Sequence, residues 1–175
     1  MRNINDIIAS LRPMTTADLA LTLAWRNHPS VRSYMFTQHE ISMREHQEWF
    51  ASIKDNPCKR ALVFEAGGVP CGFVNFNISK YGRVAEWGFY IAPTSPRGTG
   101  TLLGEAAVEY AFLTERLHKL CGQVLAYNER SIRFHERLGF RREGVLREHH
   151  FDGQTYHAVI CFGLLAREWR SLSQG

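Results

Sequence analysis

Cysteine is scarce in this chain and never closely spaced: Cys58, Cys71, Cys121 and Cys161 are the only four, and no Cys-x-x-Cys pair occurs. That spacing argues against a zinc site and a disulfide framework, and it fits free thiols in a reducing compartment. No apolar run approaches the roughly eighteen residues of a membrane-spanning helix. The stretch Met1–Asp6 lacks the apolar core of a signal peptide, so the expected location is the cytoplasm, with no membrane partner. Charge of one sign never accumulates. Lys and Arg number 21 against 17 Asp and Glu, a net charge of +4, and the basic residues are scattered. This excludes the basic stripe of a nucleic-acid binder but suits an anionic small ligand. His149, His150 and His157 have no third ligand at a sensible spacing, so no metal is expected. Repeats, low-complexity tracts and linkers are also missing. Residues 1–175 therefore read as one domain, long enough to bury a full core.

What is present alternates between strand and helix signals. Leu11–Met14 reads as the end of a strand, and Thr15 or Thr16 can cap a helix carrying Leu19, Leu21, Leu23 and Trp25 until Pro29 ends or redirects it. Ser42-Met43-Arg44-Glu45 is a capping box, followed by His46, Trp49, Phe50 and Ile53 at one-face helical spacing and stopped by Pro57. Three alternating runs follow, from Arg60 to Glu65, Pro70 to Ile78 and Val84 to Ile91, separated by Gly67-Gly68 and Tyr81-Gly82-Arg83. They predict an antiparallel meander, with Gly88 hinting at a bulge or a close approach. Next come a helix over 101–117, a strand over 123–127, a helix over 130–138 ended by Gly139, and strands over 141–149 and 156–164. The order predicts an α/β fold with a mixed sheet of about seven strands and about four helices.

Two segments carry chemistry. In Pro96-Arg97-Gly98-Thr99-Gly100-Thr101-Leu102 two glycines lie between a strand run and a helix run. A helix starting there presents amides without intrahelical partners, which attract phosphate. The second segment is Asn128-Glu129-Arg130-Ser131-Ile132-Arg133-Phe134-His135, continuing to Gly139-Phe140.

Together these segments resemble the cofactor-binding halves of GNAT-type N-acetyltransferases, whose pyrophosphate loop reads Gln/Arg-x-x-Gly-x-Gly/Ala. Ser95 stands at the Gln/Arg position, a departure for which Arg97 can supply the charge. The element order is similar to the GNAT fold, in which central strands splay and acetyl-CoA enters the gap. Leu11–Leu19 and Glu86–Pro93 resemble the ribosomal-protein acetyltransferase-like branch. Arg26-Asn27-His28-Pro29 through Ser42, with Glu45-His46 and Trp49-Phe50, looks like the acetyltransferases of pseudaminic acid biosynthesis. That resemblance implies acetylation of the 4-amino group of UDP-4-amino-4,6-dideoxy-N-acetyl-β-L-altrosamine, a nucleotide sugar leading to a flagellin or surface sugar. Acylation of a protein N-terminus or another small amine is the alternative. An acyl-CoA-binding module without turnover is an alternative of another class. The oligomeric state stays open, a homodimer being one option.

The resemblance also implies roles. Glu86 is the general base, directly or through water. Alternation places Glu86, Gly88 and Tyr90 on one face of their strand, and Trp87, Phe89 and Ile91 on the other. His135 stands where many relatives carry a tyrosine that protonates the departing thiolate, and it can act as acid, hydrogen-bond the sulfur, or cap local structure. Backbone groups of Tyr90, Ile91 and Ala92 are expected to pair with pantetheine, and the amides of Gly98, Thr99, Gly100, Thr101 and Leu102 to hold pyrophosphate. Asn128 and Ser131 match cofactor contacts, although Asn128 is equally a helix cap. For the acceptor, Arg26 can grip a phosphate, and Met35, Phe36 and Trp49 can sandwich a uracil ring. His46 can bind phosphate or pack in the core. Ser79 and Lys80 stand near the expected mouth, with a solvated turn as the plain reading of Lys80.

Overall fold

A computed structural model describes residues 8–173. The Met1–Asp6 stretch, read above as lacking a signal peptide, lies outside the described residues. In chain order the elements are β1 (Ala9–Pro13), α1 (Leu19–Asn27), α2 (Pro29–Arg32), α3 (Met43–Ile53), β2 (Lys59–Ala66), β3 (Val69–Ile78) and β4 (Val84–Ile91). Then follow α4 (Thr99–Glu109), β5 (Lys119–Leu125), α5 (Glu129–Arg137), β6 (Arg141–Phe151), β7 (Tyr156–Leu165) and α6 (Ala166–Ser173). Among the described residues six helices stand where about four are expected. The short α2 uses Pro29 at its first turn, where a missing N–H costs nothing, and α6 follows β7 directly.

The sheet has seven strands in the order β1-β2-β3-β4-β5-β7-β6. The meander β2-β3-β4 is antiparallel as expected, and its one register shift falls at Phe64/Glu65 rather than at Gly88. Gly88 instead reflects a close approach: a Cβ there would lie 2.7 Å from Asn75 Oδ1. The expected capping box forms at α3. The Ser42 amide donates to Glu45 Oε2 at 2.7 Å, and the Glu45 amide to Ser42 Oγ at 3.2 Å. Such a cap is worth about 1 kcal/mol. The helix expected over 101–117 stops earlier, because α4 passes into a π-turn over Tyr110–Thr114 and Arg116 takes φ 52° to reverse the chain into β5. No glycine marks that reversal. The strand expected over 123–127 begins earlier, at Lys119, since 119–121 pair with β4 and β7 at once.

Each face of the sheet carries its own core. Met14, Leu19, Trp25, Phe50, Phe73 and Tyr90 close the face under α1 and α3. Phe64, Trp87, Leu103, Phe112, Phe134 and Phe162 close the face under α4 and α5, where Trp169 of α6 also packs. The alternation predicted for β4 holds. Trp87 and Phe89 lie ring to ring at 4.6 Å on the α5 side, while Tyr90 stacks on Phe73 at 5.0 Å on the other.

Candidate active site

β4 and β5 run parallel and pair at only three positions: Val84 with Lys119, Ala85 with Leu120, and Glu86 with Cys121. Beyond Glu86 each strand keeps only its outer neighbour, β4 with β3 and β5 with β7. The result is a V-shaped wedge with exposed inner strand edges. Its apex is plugged by Trp87 and His135. A Cβ on Gly122, the first β5 residue past the last pair, would lie 2.6 Å from His135 Nε2 and 3.0 Å from Trp87 Nε1. Only glycine lets β5 pass this plug.

Which backbone groups line the wedge follows from the hydrogen bonds at both ends of β4. The Arg83 carbonyl accepts from His118 N, on the β5 side, whereas the Val84 carbonyl accepts from Ser79 N and the Ala92 amide donates to Cys71 O, on the β3 side. With no register shift between, even-numbered residues face β3 and odd-numbered residues face the wedge. Ile91 therefore offers its N–H and C=O to an extended amide chain, and Phe89 does the same. This corrects the expectation for Tyr90 and Ala92: the backbone of Tyr90 faces β3, and Ala92 spends its carbonyl on Ser95 N at 2.9 Å.

The wedge opens toward the start of α4. Gly98 caps that helix in the left-handed region, φ 94°, where a side chain would be strained. The five amides expected to hold pyrophosphate are not equivalent. Thr99 donates to Pro96 O, and Thr101 and Leu102 both donate to Gly98 O. Gly98 and Gly100 keep amides without a backbone acceptor among the described residues, at the positive end of the helix. Beside them a Cβ on Gly100 would meet only Ile91 Cγ1, at 4.0 Å, so the space there is open to a ligand. Ser95 turns its hydroxyl back to Cys71 O at 3.2 Å, away from this site, while Arg97 is exposed on the loop. Asn128 does cap α5, its Oδ1 accepting from Ser131 N at 3.2 Å, and its amide nitrogen remains for a ligand, as does the Ser131 hydroxyl.

His135 does not suit the acid role. It is 2% exposed, with rings of Trp87, Phe140 and Phe162 around it. An indole N–H can only donate, so Trp87 Nε1 at 3.2 Å makes Nε2 the acceptor and places the proton on Nδ1, which donates to Ser131 O at 2.8 Å. Burial pushes its pKa down to about 4. Both nitrogens are engaged and the ring stays neutral. His135 is a positioning residue that fixes Trp87 at the apex. Glu86, by contrast, is exposed at that apex, on the face it shares with Gly88 and Tyr90.

The acceptor side is a segment of residues 33–41 held over the wedge. Asn27 binds Ile41 twice, Nδ2 to O at 2.8 Å and Oδ1 from N at 2.9 Å, and His28 caps α2. Arg26 donates Nη2 to Thr37 O at 2.7 Å, while its buried Nη1 has no partner. Burial holds this guanidinium below its usual range. The expected sandwich does not assemble. Met35 packs into the α1–α3 core. Trp49 stacks on His46 and meets Phe73, while Phe36 stands edge-on to His150. His46, 5% exposed, is a core residue: Thr22 Oγ1 lies 3.0 Å from its Nε2 and is already positioned to donate to Asp18 O. It is not placed to bind phosphate. Ser79 and Lys80 lie at the closed end of the V, where the Ser79 hydroxyl accepts from Tyr81 N, so neither lines the mouth.

Sequence reasoning gave no acceptor role to Tyr127, which follows β5, or to His150 of β6, and both meet the segment, while His157 of β7 packs against Tyr127. Tyr127 donates to Ser33 O at 3.2 Å and accepts from Gln38 Nε2 at 2.9 Å. Tyr127 could have been flagged, since it immediately precedes the Asn128 motif. In the sequence the two histidines read only as metal-ligand candidates without a third partner, and nothing local marks them for the acceptor side.

An open strand edge for an extended amide chain, ending at a helix N-terminus for a diphosphate, defines a binder of acyl-coenzyme A. A family model described as "Acetyltransferase (GNAT) domain" matches residues 10–141, and the chain belongs to that family. It is an N-acetyltransferase with acetyl-CoA as donor. Spermidine N(1)-acetyltransferase of Vibrio cholerae is 29% identical over 168 residues, 94% of this chain and 97% of the relative. The solved structure of the Vibrio cholerae spermidine N-acetyltransferase with CoA and spermine matches with TM-score 0.85 at 27% identity, over 93% of this chain and 98% of that one. Acetyltransferase PseH of Campylobacter jejuni is 26% identical, over 73% of this chain and 79% of its own length. Among the described residues no helix is long and apolar enough to cross a membrane.

Proposed function

We propose that the chain acetylates the 4-amino group of a UDP-linked amino-dideoxy sugar, the acceptor implied by the likeness of Arg26–Ser42 to the pseudaminic acid acetyltransferases. The observation that carries this reading is the half-buried Arg26 guanidinium, whose buried Nη1 is unpartnered and suits an anionic acceptor. A polyamine, the substrate named for the Vibrio cholerae relative, needs free carboxylates. Two carboxylates near the acceptor side are already held by histidines, Glu45 by His39 at 3.1 Å and Asp152 by His157 at 2.6 Å.

In this mechanism the ammonium gives one proton to Glu86 through water, and the free amine attacks the thioester carbonyl. Backbone N–H groups on the wedge side of β4 stabilise the developing oxyanion. The C–N bond forms, the C–S bond breaks, and the second amine proton ends on sulfur, delivered through solvent because the one proton of His135 is held on Nδ1 by Ser131 O. A thiolate with a conjugate-acid pKa of about 8.5 leaves without a dedicated acid.

The test is an acetyl-transfer assay comparing the UDP-linked 4-amino sugar, spermidine and peptide amines. The nucleotide sugar should give the highest kcat/KM. Turnover of spermidine or peptides without the nucleotide sugar overturns the reading.

A further inference from the structure

Among the described residues two buried side-chain nitrogens lack a hydrogen-bond partner, Arg26 Nη1 and His150 Nε2. They come from opposite walls of the wedge and meet consecutive residues of one segment. Arg26 binds the Thr37 carbonyl, and the His150 ring stands perpendicular to Phe36, centroids 5.4 Å apart and planes at 88°. The orientation of His150 is imposed by its backbone. The β6–β7 ladder is paired to Leu146–Val159, loses register, and resumes at His150–His157. Within that gap Glu148 takes φ 50°. A register break of this kind re-aims the side chains that follow it, and a residue other than glycine holds such a φ only where its surroundings enforce it. The cross-strand partner His157 is engaged, with Nε2 on Asp152 and its ring against Tyr127 at 4.7 Å. Of this histidine pair, His150 keeps a nitrogen for a ligand.

We propose that His150 Nε2 and Arg26 Nη1 together hold a phosphoryl group of the acceptor, one from β6 and the other from α1. The inference rests on the nucleotide-sugar reading and adds the specificity-determining residue of the opposite wall. An acceptor without a phosphoryl group leaves both nitrogens unsatisfied, and a site built this way rejects it.

The test is calorimetric titration of the full chain, saturated with CoA, with uridine 5′-diphosphate, together with a titration of CoA alone. His150→Phe keeps a flat ring against Phe36 without the nitrogen. His150→Gln returns an amide nitrogen near the Nε2 position. The nucleotide should bind the wild type, bind H150F about tenfold more weakly, and bind H150Q within about threefold of wild type, as for one hydrogen bond to a charged group. CoA affinity should be unchanged in all three, which also reports that the variants are folded. If H150F binds the nucleotide like wild type, if H150Q is as weak as H150F, or if CoA affinity falls in parallel, His150 only packs and the inference is overturned. Failure of the wild type to bind the nucleotide overturns the nucleotide-sugar reading and this inference together.

Discussion

On the cofactor wall of the wedge the decisive contacts are local; on the acceptor wall they reach across the chain. Gly98 O receives the amides of Thr101 and Leu102, and Asn128 caps Ser131 three residues on. The acceptor segment depends on Asn27 and Ile41, 14 residues apart, and on Tyr127 with Gln38 and Ser33, 89 and 94 residues apart. The cofactor wall offers mainly backbone groups, indifferent to side-chain identity, whereas the acceptor wall offers side chains such as Arg26. Acceptor choice can therefore change by substitution on one wall while the coenzyme site stays intact.

The sharpest way to break this contrast is at the apex, where the walls meet. Glu86→Gln should lower kcat by on the order of 10²–10⁴, the usual worth of a general base, with both KM values nearly unchanged. Steady-state kinetics with both substrates varied will show it, and a loss under threefold moves the base elsewhere.

The apex plug gives the next largest effect. His135 has its pKa lowered to about 4 by burial, against an ordinary 6.5. Its contribution is therefore complete above pH 6.5. It is lost as pH falls toward 4, because the unfolded chain takes up a proton that the folded one refuses. The loss is on the order of 3 kcal/mol. Denaturant unfolding between pH 7.5 and 4.5 should fall more steeply for wild type than for His135→Phe; parallel curves contradict the buried neutral ring.

Two glycines then separate fold from ligand. Gly122→Ala drives a methyl into His135 and Trp87 and should cost about 1–3 kcal/mol of stability, seen as a lowered Tm. Gly100→Ala meets no protein atom closer than 4.0 Å, so Tm should hold or rise while KM for acetyl-CoA increases several-fold. If both variants behave alike, the space at Gly100 is not reserved for coenzyme.

This contrast also explains what the sequence made legible. The meander, the capping box at Ser42, the helix that starts after Gly98 and the Asn128 cap were readable because each is encoded within a few residues. The faces of β4 were readable too, since strict alternation survives without a bulge. Tyr90 and Ala92 were misassigned because their hydrogen-bonding direction depends on which edge β3 occupies, a tertiary fact. His46 and His135 looked like chemistry because histidine type says nothing of burial; each is instead held in a core, His46 by Thr22 and His135 by Trp87 and Ser131. His150 was read only as a metal-ligand candidate without a third partner, because its orientation toward the acceptor segment comes from the register break around Glu148, which no turn residue marks. Ser79 and Lys80 were placed at the mouth because the sequence does not say which end of β4 stays paired.

The central claim is that coenzyme A lies in the V between β4 and β5, and a crystal structure of the chain with coenzyme A tests it most directly. The pantetheine amides should pair with the backbone of Phe89 and Ile91, and the pyrophosphate should sit on the amides of Gly98 and Gly100. A coenzyme bound outside the wedge, or β4 and β5 paired along their full length, would contradict it.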